Sequence, residues 1–139
     1  MPNFTKITIE AHINASPEMV WKIWTSPEHI TQWNSASPDW HTPKAVHDLT
    51  VGGTFTYRME AKDGSFGFDF GGTFTKIEPA KEMAYVLGDE RSVSILFHEE
   101  NGGTHLVQTF DAENQNPLEM QQAGWQAILN NFKTYTESL

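Results

Sequence analysis

The residues that could do chemistry are densest between Asp39 and Asp48, where Trp40, His41 and His47 stand between the two carboxylates. Carboxylates and imidazoles in one segment suggest metal binding or proton transfer. A zinc site is not predicted, because no two histidines stand four residues apart and the chain contains no cysteine. We therefore expect no metal, and spacing alone assigns no catalytic residue.

Proton transfer stays open as an alternative function. In that case Asp39, His41, Tyr85 or Gln108 would assist a cyclase, aromatase or hydrolase reaction. Nucleophilic catalysis is not indicated, since the sequence contains no Gly-x-Ser-x-Gly turn. The glycine pairs in the middle of the chain lack the Lys-Ser or Lys-Thr of a phosphate loop. The sequence thus predicts no flavin, nicotinamide or other cofactor.

Composition narrows the classes of partner. The chain has 139 residues, with 9 Lys and Arg against 18 Asp and Glu, so its formal net charge is -9. Because the few basic residues are scattered, the sequence does not predict nucleic-acid binding. The aromatic residues are numerous, with 9 Phe, 5 Trp and 3 Tyr. So many rings in one small domain require either a very aromatic core or a pocket.

No segment approaches the roughly 20 apolar residues that cross a bilayer, and the N-terminus does not have the pattern of a signal peptide. We therefore expect a cytoplasmic protein without a membrane partner. Since the sequence contains no repeat, low-complexity tract or linker, we expect one domain over residues 1–139.

Helices are predicted on both sides of a long β region. Alternating apolar residues over 7–13 indicate a half-buried first strand. Two Ser-Pro-Glu triplets, at Ser16 and Ser26, each provide a capping hydroxyl and a proline suited to a first turn, so two short helices follow. A long C-terminal helix is predicted to be capped by Asn116, and Gly124 within it indicates close approach to the sheet.

Residues 34–48 are predicted to be irregular, and residues 51–111 to form antiparallel sheet whose turns define the registers. Asp63-Gly64 and Asn101-Gly102 are typical two-residue hairpin turns. Centring the strands on these turns predicts the pairs Ala61–Phe66, Met59–Phe68, Tyr57–Phe70, Arg58–Asp69, Phe97–Leu106, Val93–Phe110 and Ile95–Gln108.

Two further features of the sheet are predicted from the same alternation. The connection at residues 88–92 is expected to join two strands with three apolar pairs across them: Leu87–Val93, Tyr85–Ile95 and Met83–Phe97. A β-bulge is expected at Gly71-Gly72, because the apolar phase of Phe66, Phe68 and Phe70 must shift to reach Ile77.

These registers turn Gln108, Tyr57 and Tyr85 toward the interior. A buried amide or phenol needs a hydrogen-bond partner. For each of the three, the partner could be a neighbouring protein group, water or a ligand, and the sequence leaves this open.

The elements together predict an α+β fold: a curved antiparallel sheet of about six to seven strands, two short helices after the first strand, and one long C-terminal helix over the concave face. One helix cannot cover the whole concave face, so we expect a cavity between it and the sheet. Trp40, in the irregular stretch, is expected at the mouth as a lid or stacking surface. The predicted ligand-binding residues are Trp33, Trp40, Tyr57, Met59, Phe68, Phe70, Tyr85, Gln108, Trp125, Leu129 and Phe132.

The order of elements and several motifs resemble the START-like, helix-grip superfamily, also called SRPBCC. Within it, the chain resembles the bacterial branch named after the activator of a heat-shock chaperone ATPase. The residues that carry this resemblance cover nearly the full chain: Ser16 to Trp21, Trp24 to Ile30, Trp33, Asp39 to Pro43, Asp48-Leu49, Val51 to Phe55, Tyr57 to Phe70, Gly124-Trp125 and Phe132.

The resemblance implies a helix-grip fold and a choice of functions, since the superfamily includes lipid carriers, hormone-binding proteins, polyketide aromatases and cyclases, and a chaperone co-factor. We expect the cavity to bind a small hydrophobic or aromatic molecule, polyketide-like or lipid-like. A chaperone ATPase role is the further alternative, but no chaperone partner is expected, since the eukaryotic activator uses an additional domain. A homodimer stays open.

Overall fold

The computed structural model describes residues 4–139, so the first three residues of the predicted domain span lie outside it. It consists of one seven-stranded antiparallel sheet and three helices. The elements, in chain order, are β1 (Lys6–Ile13), α1 (Pro17–Thr25), α2 (Pro27–Trp33), β2 (Trp40–His47), β3 (Thr54–Ala61), β4 (Gly67–Glu78), β5 (Glu82–Leu87), β6 (Ser92–Glu100), β7 (Gly103–Asp111) and α3 (Leu118–Glu137).

The sheet is curled, and its strand order is β1-β7-β6-β5-β4-β3-β2. The two short helices follow the first strand, and α3 packs on the inner face, mainly against β1. The predicted α+β helix-grip fold is therefore confirmed. The sequence did not predict β2, which forms the edge of the sheet beside β3. Its residues, with Pro43 among them, show no alternation of apolar and polar side chains.

The registers taken from the two glycine turns are confirmed. Tyr57 pairs with Phe70 and Arg58 with Asp69 across β3 and β4. Likewise Gln108 faces Ile95 of β6 on one side and Ile9 of β1 on the other. Pairing partners share a face of the sheet, and Ile9 and Ile95 are buried in the core. Gln108 therefore also points inward, in agreement with its own burial.

The register between β5 and β6 differs from the prediction by two residues. Tyr85 pairs with Val93 and Met83 with Ile95. The reason is a tighter turn, in which the N–H of Leu87 donates to the carbonyl of Arg91 and the intervening chain bends at residue 90, whose φ is 75°. An even displacement leaves every side chain on its predicted face.

The bulge lies three residues beyond its predicted position. Gly71 and Gly72 are regularly paired, and the irregularity falls between Phe74 and Lys76. Gly72 has a different reason to lack a side chain, since a Cβ there would lie 2.4 Å from the Val86 carbonyl oxygen and 3.2 Å from the ring of Phe55.

Two predictions for α3 are wrong. The helix begins at Leu118 with Pro117 as N-cap and no side-chain cap, so Asn116 does not cap it. Asn116 instead donates to the carboxylate of Glu113. A Cβ on Gly124 would have nothing within 4 Å, so this glycine does not permit a close approach to the sheet.

Candidate functional site

A cavity of about 170 Å³ lies between the inner face of the sheet and α3. Its floor consists of residues from β3, β4, β5 and β7, its roof of residues from α3, and the ends of α1 and α2 close one side. Most of the predicted ligand-binding residues line it, namely Trp33, Tyr57, Met59, Phe68, Phe70, Tyr85, Gln108 and Trp125.

Three predicted residues are not among the lining. Leu129 and Phe132 are fully packed in the core, and the ring of Phe132 is covered by Trp24 and Trp33 at centroid distances of 4.8 Å each. Helical spacing gives the inward direction of these side chains, but the two short helices fill the space beneath this part of α3.

Trp40 does not line the cavity itself but contacts a residue that does. Its ring packs against Phe66 and Phe68 at centroid distances of 6.0 Å and 6.2 Å. Phe68 lines the cavity and is still 40% exposed, so the cavity reaches the surface there. We call Trp40, Phe66 and Phe68 the rim cluster.

The walls are built from interlocking rings. Phe55 contacts Tyr85 edge-on at 4.8 Å and Tyr57 at 5.0 Å on the sheet side. On the helix side Trp125 stacks on Phe110 at 3.9 Å with nearly parallel planes, which holds the indole in place over the sheet. Edge-to-face and stacked ring pairs are the favoured aromatic geometries, so most of the lining is apolar and well supported.

One polar pair lies at the wall. The Tyr57 hydroxyl and Nδ1 of His47 are 3.0 Å apart and share a hydrogen bond. Burial lowers the pKa of His47 below its ordinary value, and the Asp48 carboxylate and the Thr25 backbone offset only part of this. Burial also raises the pKa of Tyr57. Both groups are therefore neutral near pH 7.

Two other polar side chains face the cavity with no protein partner. Tyr85 is 7% exposed and Gln108 is 5% exposed. Within residues 4–139, no hydrogen bond reaches the Tyr85 hydroxyl or the Gln108 amide, and both groups are accessible from the cavity. Burial raises the pKa of Tyr85, with a smaller contribution from Tyr57, so its hydroxyl keeps its proton.

Sequence reasoning missed several lining residues, the most important of which is His47. The segment 34–48 was predicted to be irregular, whereas β2 carries His47 into register with Phe55. The sequence suggested His47 only as a residue for metal binding or proton transfer, and the pairing of β2 with β3 is what gives the direction of its side chain. The other missed lining residues are Trp24, Thr25, Asn34, Leu49, Phe55, Phe74, Met83 and Ile128.

The segment with the most chemical residues does not form a site. Asp39 accepts a hydrogen bond from Ser37, and His41 lies 3.5 Å from the carboxylate of Glu60. Neither residue lines the cavity. Asp39 and His41 are therefore not placed to contact a molecule in the cavity, whereas the hydrogen-bonded pair His47 and Tyr57 lies at its wall.

The described part of the chain, residues 4–139, contains no group of three or more His, Asp or Glu that could hold a metal ion. Among the same residues, no helix combines the length and the apolar character that spanning a membrane requires.

Residues 14–137 match the family model described as Activator of Hsp90 ATPase homolog 1-like protein. The solution structure of an AHSA1-like protein from Aeromonas hydrophila is 51% identical, with a TM-score of 0.91 over 96% of this chain and 93% of that one. A solution structure from Cytophaga hutchinsonii is also 51% identical, with a TM-score of 0.84 over 96% and 92%.

More distant structures share the fold alone. A crystal structure from Nitrosomonas europaea is 17% identical and has a TM-score of 0.83 over 99% of this chain and 97% of that one. Among curated proteins, none matches the chain.

Proposed function

Since this chain belongs to the family of Activator of Hsp90 ATPase homolog 1-like proteins, whose START-like fold is compatible with ligand binding, we propose that its cavity binds a small hydrophobic or aromatic molecule. The observation that supports this most directly is the ring-lined cavity of about 170 Å³. An apolar cavity of roughly 150 Å³ is large enough to bind benzene. The cavity is therefore suited to a ligand of one or two rings.

The size also limits the ligand. A polyketide-like molecule with several fused rings or a long lipid chain exceeds this volume. Such ligands would enter only if α3 moved away from the sheet or if the rim cluster opened. A mono- or bicyclic aromatic compound is the better candidate, because its burial against rings such as Phe55, Phe70 and Trp125 requires no such movement.

The lining also favours a neutral ligand. His47, Tyr57 and Tyr85 are its titratable residues, and it includes no Lys, Arg, Asp or Glu. A charged group in this cavity would lose its hydration without gaining a counter-ion, which is costly.

Calorimetric titration with indane, a neutral bicyclic hydrocarbon, tests the proposal. Ile128→Trp should fill the cavity and remove the binding heat, because Ile128 lines it from α3. Asn130→Trp is the matched control, since Asn130 is exposed on the same helix and a new ring there should leave binding intact. Absence of indane binding to the unsubstituted protein would contradict the proposal.

An enzymatic function is the second candidate, and the hydrogen bond between His47 and Tyr57 favours it. A neutral imidazole beside a phenol could exchange a proton with a bound substrate. In that case hydrolysis of 4-nitrophenyl acetate, used as a general probe, should be lost in His47→Gln and in Tyr57→Phe while indane still binds. Equal rates in all three proteins would exclude this role of the pair for ester substrates.

A further inference from the structure

The polar groups facing the cavity fall into two sets. Tyr57 shares a hydrogen bond with His47, and the Trp33 indole N–H donates to the Ile23 carbonyl oxygen. Likewise the hydroxyl of Thr25 donates to the Trp21 carbonyl oxygen. These groups need nothing from a ligand.

Tyr85 and Gln108 form the other set. Both side chains are more than nine-tenths buried and line the cavity. No group within residues 4–139 hydrogen-bonds to the Tyr85 hydroxyl or the Gln108 amide, and these polar atoms stay accessible from the cavity. The indole N–H groups of Trp24 and Trp125 also lack a protein partner, but both side chains are partly exposed, so solvent can serve them. Polar groups in protein interiors nearly always have a partner, so the partner of these two groups, a water molecule or a ligand atom, lies inside the cavity.

The position of the two side chains is compatible with one shared ligand. Tyr85 on β5 pairs with Val93, and Gln108 on β7 pairs with Ile95, two residues further along β6. They therefore project from the same face on either side of β6. Two strand spacings across the sheet and two residues of rise along it place their Cα atoms about 12 Å apart. Both side chains line the same cavity, so a ligand there is in reach of both.

The hydrogen-bonding character of these groups defines the complementary ligand. A phenol that keeps its proton can donate one hydrogen bond, and the Gln108 amide has two N–H donors beside one acceptor oxygen, so donors outnumber the amide oxygen. A ligand oxygen that accepts without bringing a proton of its own is the best complement to such a set. Because the lining contains no Lys or Arg, that oxygen belongs to an uncharged group.

We propose that the ligand is a neutral mono- or bicyclic aromatic compound that carries a carbonyl oxygen, and that Tyr85 and Gln108 determine this specificity by donating hydrogen bonds to it. This inference rests on the proposed function of the same cavity.

The matched ligands indane and 1-indanone, which share a bicyclic frame and differ by one carbonyl oxygen, test the inference. Calorimetry should give 1-indanone about tenfold tighter binding than indane, as expected for satisfying one otherwise unpaired buried donor. The related alcohol 1-indanol should bind more weakly than the ketone, and equal affinity for the two would overturn the assignment of a carbonyl.

The double variant Tyr85→Phe, Gln108→Met removes the donors and keeps the shape of both side chains. In this variant 1-indanone and indane should bind within about twofold of each other. Matching ¹H–¹⁵N spectra of the variant and the unsubstituted protein, away from the cavity, show that the variant is folded. A persistent tenfold preference for the ketone would overturn the role of both residues. If the preference disappears, the two single variants show how much of it each residue provides.

The two proposals fail in different ways. If indane binds the unsubstituted protein and 1-indanone binds no more tightly, the carbonyl inference is wrong and the proposed function stands. If neither compound binds, the proposed function itself is wrong.

Discussion

Two glutamines of this protein are buried to a similar extent but differ in their hydrogen bonding. Gln121 is 8% exposed, and its amide donates to the carbonyls of Glu113 and Asn116 while its oxygen accepts from the Glu113 N–H. Gln108 is 5% exposed, and within residues 4–139 no hydrogen bond reaches its amide, which opens into the cavity. The hydrogen bonds of Gln121 therefore stabilise the fold, whereas the amide of Gln108 faces the cavity.

Substitution by methionine, which has a similar shape, should separate these roles. Gln121→Met should lower the free energy of unfolding by about 1–3 kcal/mol, because it leaves backbone groups of Glu113 and Asn116 unpaired. Gln108→Met should leave the free energy of unfolding unchanged or raise it, because no protein hydrogen bond is lost. Urea titration of both variants measures the difference, and similar losses in the two would contradict the separation.

The buried imidazole of His47 makes stability depend on pH. Its pKa in the folded protein lies below its ordinary value near 6.5 because of burial. Protonation is thus less favourable in the folded than in the unfolded chain, so this contribution to stability is complete above pH 6.5 and decreases as the pH falls toward the folded pKa.

The free energy of unfolding of the unsubstituted protein, relative to His47→Gln, should therefore decrease as the pH falls below about 6.5. The other five histidines are present in both proteins and cancel in this comparison. A difference that grows with acidification would mean that His47 is protonated more readily in the folded state, and would contradict the burial argument.

The elements of the fold differ in how far local sequence determines them. The β3–β4 and β6–β7 pairings were predictable because Asp63-Gly64 and Asn101-Gly102 define hairpin registers with short-range chemistry. The edge strand β2 was not predictable, because Pro43 and the mixed residues around it show no apolar–polar alternation, although β2 pairs with the next strand in the chain. As His47 lies on this strand, the missed strand is also the reason for the missed polar pair.

The same limit applies to α3. Its apolar stripe correctly predicts that Trp125, Leu129 and Phe132 face inward. The sequence could not indicate that α1 and α2 place Trp24 and Trp33 against Phe132, which packs this end solidly and leaves the cavity beneath Trp125. The identity of the core was therefore predictable, and its division into packed and open parts was not.

Replacing a glycine by alanine should have opposite effects on the free energy of unfolding at two positions, one in α3 and one in β4. Gly124→Ala should raise the free energy of unfolding by about 0.5–1 kcal/mol, because the site is helical and a Cβ meets nothing within 4 Å. Gly72→Ala should lower it by about 1–3 kcal/mol, since its Cβ would overlap the Val86 carbonyl and crowd Phe55. Thermal unfolding of both variants checks the signs, and destabilisation by Gly124→Ala would show a packing role that the fold does not reveal.

At the scale of the whole molecule, the charge distribution should select against anions. The formal net charge is -9, and the cavity lining holds neither Lys nor Arg. At pH 8 the anion indane-5-carboxylate should bind at least about 30-fold more weakly than its neutral methyl ester, because its charge would be buried without a partner. Calorimetry at two salt concentrations measures this, and tighter binding of the carboxylate would contradict a neutral ligand.

The central claim is that a small aromatic molecule occupies the space between the sheet and α3. The most direct measurement is a ¹H–¹⁵N correlation titration with indane, followed at the indole N–H signals of the lining residues Trp24, Trp33 and Trp125. We predict saturable shifts of these signals and of inner-face amides near Tyr57, Tyr85 and Gln108, and their loss in Ile128→Trp but not in Asn130→Trp. Shifts confined to the outer face of the sheet, or shifts that Ile128→Trp leaves unchanged, would contradict the account.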